Sequence, residues 1–549
     1  MKKKTGLYSG LIVLGVFLVG CSTNSNTTSS TNKSEPSKQE VTLANAQELN
    51  TIDPSNAIDS NSRIVINNIY EGLYRLDESN QPVPAGAAEL PEISDDGLTY
   101  TIKLNDKATW SDGTKVTADD YLYAWNRAIT SESAAENLPY FTSIKQAKEI
   151  IAGDQEASEL GVKKIDDFTV EITLHTASSY FSSLLANPPF FPLNKAYTES
   201  QGDKFSIDSD HAIYNGPFTL GDFAGPGIGG SWTYYKNEKY WDKEQVKLDK
   251  IDVQVIKETN SGIDLYKTGK IDQVAISGEY VKNEALDPGF ISENAPTIAF
   301  FGYNHTNKIY QNEKIRQAIS LVIDREALVT NILGDGSAVA TGIVPPKLQI
   351  NLNTGKDFTE DAGNLLKTDV TEAKKLWAEA KRELNIEDLT IRLISFDSDR
   401  MKSLGTYIQG AIEENLAGAK VDVNISPVGV FIEQATKQDF DIYMPTWGAD
   451  YADASSLLSL FQSDSASNWG KYNNPEYDKQ LLDASSTNAN NSEARWTNLQ
   501  DAQRIILKEA GVTPIYFQSS AFLRNPQFKG VVYHTTGPSL DYKTAYLEE

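Results

Sequence analysis

The segment 389–445, LTIRLISFDSDRMKSLGTYIQGAIEENLAGAKVDVNISPVGVFIEQATKQDFDIYMP, decides the fold class of this 549-residue chain. Three short runs rich in β-branched residues predict strands: Leu389–Ile394, Lys420–Ile425 and Phe440–Pro445. Two helix-length segments separate them: Arg400–Leu416, closed by Gly418, and Phe431–Lys437. Strands joined by helical crossovers predict a parallel or mixed sheet covered by helices, so an α/β (mixed α+β) fold is expected.

Two amphipathic helices are predicted before this segment. One spans Thr371–Leu384, and the other begins near Glu313. The apolar face of the second repeats at helical spacing and consists of Ile315, Ala318, Ile319, Val322 and Ile323. Asp324 is placed to cap a following helix, which Gly334 should end.

The first half of the chain is richer in strands, which are predicted at Leu98–Leu104, Thr169–Leu174 and Ile251–Ile256. A capping box from Thr117 to Asp120 predicts a helix over Tyr121–Ile129. The glycine-rich stretch Gly225–Gly230 precedes the strand-like Ser231–Tyr235, so it is interpreted as a hairpin loop and not as a nucleotide-binding loop.

Composition excludes several classes of function. The chain has 50 Lys and Arg against 75 Asp and Glu, a net charge of −25, which argues against a nucleic-acid partner. One cysteine cannot form an intramolecular disulfide or a zinc site that needs two thiolates. The four histidines are far apart in the sequence and form no metal-binding motif. No metal, cofactor or catalytic residue is therefore predicted.

The N-terminus is typical of a lipoprotein signal peptide. A basic head, Met1–Lys4, precedes the apolar run Leu11–Val19, and Leu18–Cys21 resembles a lipobox. Residues 1–20 are predicted to be removed, with lipid attached to Cys21, and residues 21–39 form a polar, flexible tether. The protein is thus expected at the cell membrane, lipid-anchored on its extracellular face.

Several blocks resemble one family in order and spacing. They are Asp53-Pro54, Ile66–Leu73, Ala108–Asp120, Asn215–Phe218, Gly269–Asp272, Ile315–Ala318 with Ile323–Arg325, and Trp447–Tyr451. Together they resemble the oligopeptide-binding lipoproteins, in the peptide/nickel branch (family 5) of the extracellular solute-binding proteins of ABC importers. The resemblance covers essentially the whole mature chain.

The resemblance implies a two-lobed, periplasmic-binding-protein-like fold with an additional domain inserted in the N-terminal lobe. Mapped onto this chain, lobe I is expected from residues 40–75, 214–295 and 513–549, the inserted domain from 76–213, and lobe II from 296–512. A monomer is expected.

The resemblance also implies a function: capture of oligopeptides in a cleft between the lobes and delivery to the permease subunits of an ABC importer, without catalysis. Asp450 is expected to accept the α-amino group of the ligand. The other expected ligand-binding residues are Trp447, Gly448, Ala449, Tyr451, Leu43 and Asn45, and the peptide is expected to pair with backbone near Val41–Asn45 and Trp447–Ala449.

Other motif residues are interpreted as structural or as departures from the family. Trp110 is expected in a packed turn, and Arg316 and Arg325 in salt bridges. Met444 stands where short-peptide members often carry a basic residue for the peptide C-terminus, which favours longer or length-tolerant ligands.

Alternatives remain open at this stage. The same fold could serve a receptor for a signalling peptide, such as a pheromone. Less favoured is a lipid-anchored glycoside hydrolase that uses Asp450 with a second carboxylate, the candidates being Asp453 and the pair Asp439 and Asp441. A nickel- or haem-binding relative is a further alternative, and the scattered histidines count against nickel.

Overall fold

The computed structural model describes residues 38–130, 132–228, 230–351 and 353–548. The predicted signal peptide, Cys21 and nearly all of the predicted tether therefore lie outside the described residues. In the described part, no helix is both long and apolar enough to cross a membrane.

The strands, numbered in chain order, are β1 (Glu40–Asn45), β2 (Tyr74–Leu76), β3 (Pro82–Pro84), β4 (Glu92–Ile93), β5 (Thr99–Lys103), β6 (Val162–Asp166), β7 (Thr169–Thr173), β8 (Phe218–Gly221), β9 (Ser231–Lys236), β10 (Lys250–Val255), β11 (Gln273–Ile276), β12 (Phe290–Tyr303), β13 (Ala338–Val339), β14 (Leu389–Phe396), β15 (Ala419–Ser426), β16 (Ile442–Met444), β17 (Thr446–Gly448), β18 (Val512–Arg524), β19 (Phe528–Lys529), β20 (Val532–Tyr533), β21 (Leu540–Asp541) and β22 (Tyr546–Leu547).

The α-helices are α1 (Ser60–Ile69), α2 (Ala118–Ile129), α3 (Ala147–Ile151), α4 (Phe181–Leu184), α5 (Lys195–Gln201), α6 (Thr259–Lys267), α7 (Glu279–Glu284), α8 (Lys308–Gln311), α9 (Glu313–Leu321), α10 (Arg325–Ala327), α11 (Phe358–Ala362), α12 (Val370–Leu384), α13 (Asp399–Asn415), α14 (Val428–Thr436), α15 (Ser455–Leu458), α16 (Pro475–Ser485) and α17 (Ser492–Lys508).

A mixed twelve-stranded sheet connects most of the described chain, in the order β15-β14-β16-β12-β18-β11-β1-β10-β9-β8, with β13 attached to β18 and β17 to β12. The long strands β12 and β18 are antiparallel and run through its middle. Their register breaks between Asn294 and Ile298, so each strand has one part on either side of this irregularity. We call the half with β1 and β8–β11 the first lobe, and the half with β14–β17 the second lobe.

The hydrophobic cores follow the same division. One large cluster runs from Val41 to Val253 and takes in Phe522–Ala545, and a small one contains Ile263–Val281 with Ala521 and Leu523. Two further clusters lie between Ile298 and Phe517. Each lobe therefore buries its own apolar residues, and β12 and β18 link the two.

The parallel sheet predicted from segment 389–445 is confirmed. Strand β14 pairs in parallel with β15 on one side and with β16 on the other, and helices α13 and α14 form the crossovers. Gly418 adopts a φ of 77°, the left-handed conformation that a side chain would strain.

The predicted helices and the hairpin also form. Helix α2 begins with a complete capping box between Thr117 and Asp120. The predicted apolar face, which starts at Ile315 in α9 and ends at Ile323 after that helix, is buried. Asp324 caps α10 by accepting a hydrogen bond from the Ala327 amide. Strands β8 and β9 form an antiparallel hairpin around the glycine-rich loop.

Strands β4–β7, which lie between Glu92 and Thr173, form a separate four-stranded sheet in the order β4-β5-β7-β6. The exact limits of the lobes and inserted domain stay predictions.

The salt bridges predicted for two arginines are wrong. Both side chains are buried, but Arg316 donates to the carbonyls of Tyr310, Glu509 and Ala510, and Arg325 to that of Pro514. Glu509 and Ala510 follow the C-terminus of α17, where unpaired carbonyls and the helix dipole favour a cation. Within the described residues, these guanidinium groups therefore donate to backbone carbonyls, and Arg325 also to Ser320 Oγ, and neither pairs with a carboxylate.

Candidate functional site

The candidate site begins at strand β17, which has a free edge in the described part of the chain. On its other side β17 pairs with β12, where Trp447 lies opposite Ile298. The amide of Ala449 donates to the Pro296 carbonyl, 2.8 Å away. Because backbone groups alternate direction along a strand, those of Thr446 and Gly448 point away from β12. Gly448 is exposed, so an extended chain can approach this edge closely.

Asp450 follows this edge directly. Its side chain is exposed to solvent and makes no ion pair within 4 Å in the described residues. Its amide donates to Ser456 Oγ at 2.7 Å, which fixes the backbone of the residue. Although the residue reaches solvent, the protein around its carboxyl partly desolvates it and so raises the pKa of Asp450, and the charge of Arg63 acts in the opposite direction. The site is therefore a carboxylate that lacks a close cation.

Asp453, three residues later, holds the loop in place. Its two oxygens accept from both terminal nitrogens of Arg495, at 2.7 and 2.8 Å, and Gln349 Nε2 donates to it at 3.0 Å. Asp453 and Arg495 are 3% and 6% exposed, so this pair is buried. Although burial opposes ionisation, the Arg495 charge and several hydrogen bonds hold the pKa of Asp453 below its usual value. The group is a structural anchor for the loop that carries Asp450.

Arg63, on α1 of the first lobe, is the cation whose charge reaches Asp450. Its guanidinium donates to three neutral acceptors: the Ala57 carbonyl at 3.2 Å, the Tyr140 hydroxyl at 3.1 Å and Asn137 Oδ1 at 2.9 Å. The Tyr140 ring lies 5.5 Å below it. Within the described residues Arg63 is thus held in position without an ion pair, and its charge acts on Asp450.

Trp447 and Tyr451, the two aromatic residues expected to bind the ligand, have different surroundings. Trp447 is half-buried and packs edge to face on Trp469, with ring centroids 5.6 Å apart, so it belongs mainly to the core of the second lobe. Tyr451 stacks on Tyr180, with centroids 4.0 Å apart and planes 11° apart. Both rings pack against the core of the first lobe, whereas the neighbouring Trp447 and Ala449 pack against a core of the second lobe.

The expectation of peptide pairing along Val41–Asn45 is wrong for most of that strand. Strand β1 pairs with β10 along its whole length and with β11 at Leu43, so it is an interior strand. Leu43 is buried, and Asn45 donates to Asn61 of α1. Both residues line a cavity of the first lobe.

Met444 is fully buried in the second-lobe core, and its carbonyl accepts from Ser395 Oγ. Met444 is therefore a packing residue in this chain and offers no charge to a ligand.

The other carboxylates and the histidines are engaged elsewhere. Asp439 pairs with Arg392, and Asp441 accepts from the Arg392 amide and from Asn307. Burial lowers the pKa of His305 to about 4, and its Nε2 bonds the Gly511 carbonyl. Among the described residues, no group of three or more His, Cys, Asp or Glu side chains is arranged to hold a metal ion.

Sequence reasoning missed Arg63, Tyr140, Asn137 and Tyr180. All four are distant in the chain from Asp450, and their types carry no motif. The one local signal was the Asp59 cap, which fixes the start of α1 and hence the position of Arg63.

Comparisons with a family model and with a known protein both match this chain to binding proteins. The profile of the bacterial extracellular solute-binding proteins, family 5 middle, matches residues 81–469. The chain is 31% identical to the dipeptide-binding protein of Lactococcus lactis subsp. cremoris, over 100% of this chain and 99% of that protein.

Three solved structures cover 93% of this chain and nearly all or all of their own. They are Listeria monocytogenes OppA bound to peptide (36% identity, TM-score 0.71, 100% of that chain), the pheromone receptor PrgZ (37%, 0.72, 100%) and the unliganded open form of the murein tripeptide-binding protein MppA (26%, 0.81, 98%). The highest TM-score of the three belongs to the open form, although its identity is the lowest. The chain belongs to the bacterial extracellular solute-binding proteins of family 5.

Proposed function

We propose that this protein captures oligopeptides outside the cell and delivers them to an ABC importer. The observation that carries the proposal is the free edge of β17 next to Asp450. An extended peptide can add to that edge as a strand, with main-chain bonds to Thr446 and Gly448. Its α-ammonium group then reaches the carboxylate of Asp450, which has no close cation of its own in the described residues.

Main-chain pairing depends little on peptide sequence, so we expect broad specificity at most ligand positions. Because the basic anchor is replaced by the buried Met444, the site does not fix the distance between the two peptide ends. The ligands are therefore peptides of variable length and not dipeptides alone.

Closure of the two lobes follows ligand binding in this proposal. Strands β12 and β18 link the lobes, and their register break between Asn294 and Ile298 provides a place to bend. The greater similarity to an open, unliganded relative supports an open starting state. The closed form would be the one that the permease subunits recognise.

The site supports binding without catalysis. The carboxylate nearest to Asp450 in sequence, Asp453, is buried and engaged by Arg495 on both oxygens, so it is poorly placed to act as an acid or base. The relatives reported above are named for binding and not for a reaction.

We also propose that the mature protein is a monomer anchored at the extracellular face of the cell membrane through lipid on Cys21. The support is the lipobox-like Leu18–Cys21 after a basic head and an apolar run.

A second candidate is a receptor for a signalling peptide on the same fold. It is favoured by the similarity to the pheromone receptor PrgZ, at 37% identity. A nutrient-binding protein should retain many peptides of a mixture, whereas a receptor should retain few.

The test is to incubate the purified protein with a defined mixture of peptides of two to ten residues, remove unbound material by gel filtration and analyse what is retained by mass spectrometry. We expect many intact peptides. Retention of a single sequence would support the receptor, shortened peptides would support a hydrolase, and no retained peptide would refute the proposed function.

A further inference from the structure

His534 lies in the first lobe, directly after β20, and is buried, with 2% of its surface exposed. Each ring nitrogen faces a backbone carbonyl: Nδ1 lies 2.9 Å from the oxygen of Pro538, and Nε2 lies 2.9 Å from the oxygen of Leu76. A carbonyl oxygen only accepts hydrogen bonds, and a neutral imidazole has a single N–H. Both bonds therefore form only when the ring carries two protons and a positive charge.

The buried charges around the ring favour the same form. Asp541 of β21 and Arg75 of β2 are each 5% exposed and form an ion pair of 2.6 Å, and the buried Glu71 lies 3.8 Å from Arg75. Although burial opposes ionisation of Asp541, the charges of Arg75 and His534 hold the pKa of this carboxyl below its usual value. Two buried carboxylates and one guanidinium leave one negative charge, which a protonated His534 balances.

The remaining charged groups near these segments do not oppose that charge. Asp77, next to Leu76, accepts from two amides of its own turn. Lys543, which follows β21, pairs with Asp242 at 2.8 Å. The side chains of Glu78 and Lys347 are exposed to water, which screens them.

The two segments that His534 joins both reach the second lobe. Asn80, in the turn after β2, donates to the Lys347 carbonyl at 3.1 Å, and the Thr535 hydroxyl donates to the same oxygen at 3.3 Å. The Thr535 amide also donates to Asn80 Oδ1 at 2.7 Å. Lys347 belongs to the second lobe, because Val344 and Leu348 on either side of it are buried in one of its cores. The position of this contact between the lobes therefore depends on the segments that the histidine ties together.

We propose that His534 is an imidazolium in the folded protein and acts as a clasp, which holds the β20–β21 loop and the β2–β3 turn where both bond the Lys347 carbonyl. When the ring loses a proton at alkaline pH, one nitrogen becomes an acceptor that faces a carbonyl oxygen, so one of the two bonds is lost. The contact between the lobes then loosens. The clasp is a pH-sensitive part of the fold, and it does not depend on which ligand the protein binds.

The charge is tested by ¹⁵N NMR of the purified protein with labelled histidine at about pH 8, where an ordinary histidine is neutral. His175 is the matched control. Its Nε2 also faces a carbonyl, that of Thr142, but its Nδ1 faces the Thr176 hydroxyl, which can donate, so one proton satisfies the ring. We expect two protonated nitrogens in His534 and one in His175. A single proton on His534 would overturn the inference.

The signals of His534 are assigned by their loss in His534→Gln. Should that variant fail to fold, contacts of the ring protons with Leu76 and Pro538 assign them in the wild type.

The mechanical role is tested by hydrogen exchange and mass spectrometry at neutral pH. Glutamine has its donors on one nitrogen and cannot reach both carbonyls as the imidazolium does, so His534→Gln should speed amide exchange in residues 76–84 and 532–541 by about tenfold. His175→Gln should leave both segments at the wild-type rate. Unchanged exchange in His534→Gln would show that the charge does not hold the contact and would overturn the inference.

The wild type alone decides the matter should His534→Gln fail to fold. Between neutral and alkaline pH, and after correction for intrinsic exchange rates, protection should fall first in these two segments. A fall that begins elsewhere, or that is uniform over the chain, would contradict the clasp.

Discussion

Asp450 and Asp453 lie three residues apart in one loop and differ in burial, in ion pairing and in the direction of their pKa shifts. Asp453 is buried, paired on both oxygens with Arg495, and has a lowered pKa. Asp450 is exposed, has no ion pair within 4 Å in the described residues, and has a raised pKa. The first charge is stabilised by the fold, and the second is not. The comparison shows how a ligand-binding carboxylate can be identified: no cation of the described protein neutralises it, so its charge is available to a ligand.

The largest effect is expected from Asp453→Asn. Removing one charge from a buried pair leaves Arg495 uncompensated, which typically costs about 3–5 kcal/mol of unfolding free energy. Urea denaturation followed by circular dichroism measures this loss. The matched control is Asp450→Asn: because burial raises the pKa of that carboxyl, its charge opposes folding at neutral pH, and its removal should not destabilise the protein. Equal losses in both variants would contradict the comparison.

A smaller but specific effect is expected on binding in Asp450→Asn. Asparagine still accepts a hydrogen bond but offers no charge to the ligand ammonium. Loss of one partner of a hydrogen-bonded charge pair costs about 2–5 kcal/mol of binding free energy, and the lower limit corresponds to about 30-fold in affinity. Calorimetry with a free peptide and its N-acetylated form measures this. Acetylation should weaken binding to the wild type and have little further effect on the variant. Unchanged wild-type affinity after acetylation would show that Asp450 does not bind the amine.

Most of the fold could be predicted because its signals are local. The strands and crossovers of segment 389–445, the capping box of α2 and the left-handed Gly418 each depend on residues close in the chain. Several partners of Arg316 and Arg325 could not be predicted, since the carbonyls of Ala510 and Pro514 that accept from them lie nearly 200 residues away. The interior position of β1 was missed for the same reason, because strand order is set by long-range pairing.

The site was predictable only in part. The role of Asp450 was predicted from the family resemblance, and no other pattern in the sequence distinguishes this residue from Asp453. What separates them is Arg495 and Gln349 on one side and the absence of such partners on the other, which only the fold reveals. Arg63 and the stack of Tyr180 on Tyr451 likewise depend on how the lobes meet.

The pH dependence of binding sharpens the comparison further. Since the pKa of Asp450 is raised, it takes up a proton at a higher pH than an ordinary aspartate, and peptide affinity should fall by about tenfold per pH unit below that pKa. Asp453, with a lowered pKa, stays ionised over the same range and keeps the loop in place. Titration of affinity against pH, compared with Asp450→Asn, measures the effect. A variant that kept the wild-type pH profile would exclude Asp450 as its cause.

Loss of stability in acid must be separated from this effect. His305 has a pKa of about 4 in the folded protein, against an ordinary value of about 6.5, so the unfolded chain takes up the proton first. The stability that its neutral form provides is complete above about pH 6.5 and is lost as the pH falls towards 4. Melting temperatures recorded at each pH, in the wild type and in His305→Gln, define the range in which affinities report on binding.

The smallest expected change is a displacement of this pH profile in Arg63→Met. The guanidinium lowers the pKa of Asp450, so its removal should raise that pKa and make affinity begin to fall at a higher pH. At neutral pH the same change removes repulsion of the ligand ammonium, so affinity should not decrease there. Calorimetry across the pH range measures both. Because Arg63 also bonds Tyr140 and Asn137, a purely structural role would weaken binding equally at every pH, and that result would contradict electrostatic coupling between Arg63 and Asp450.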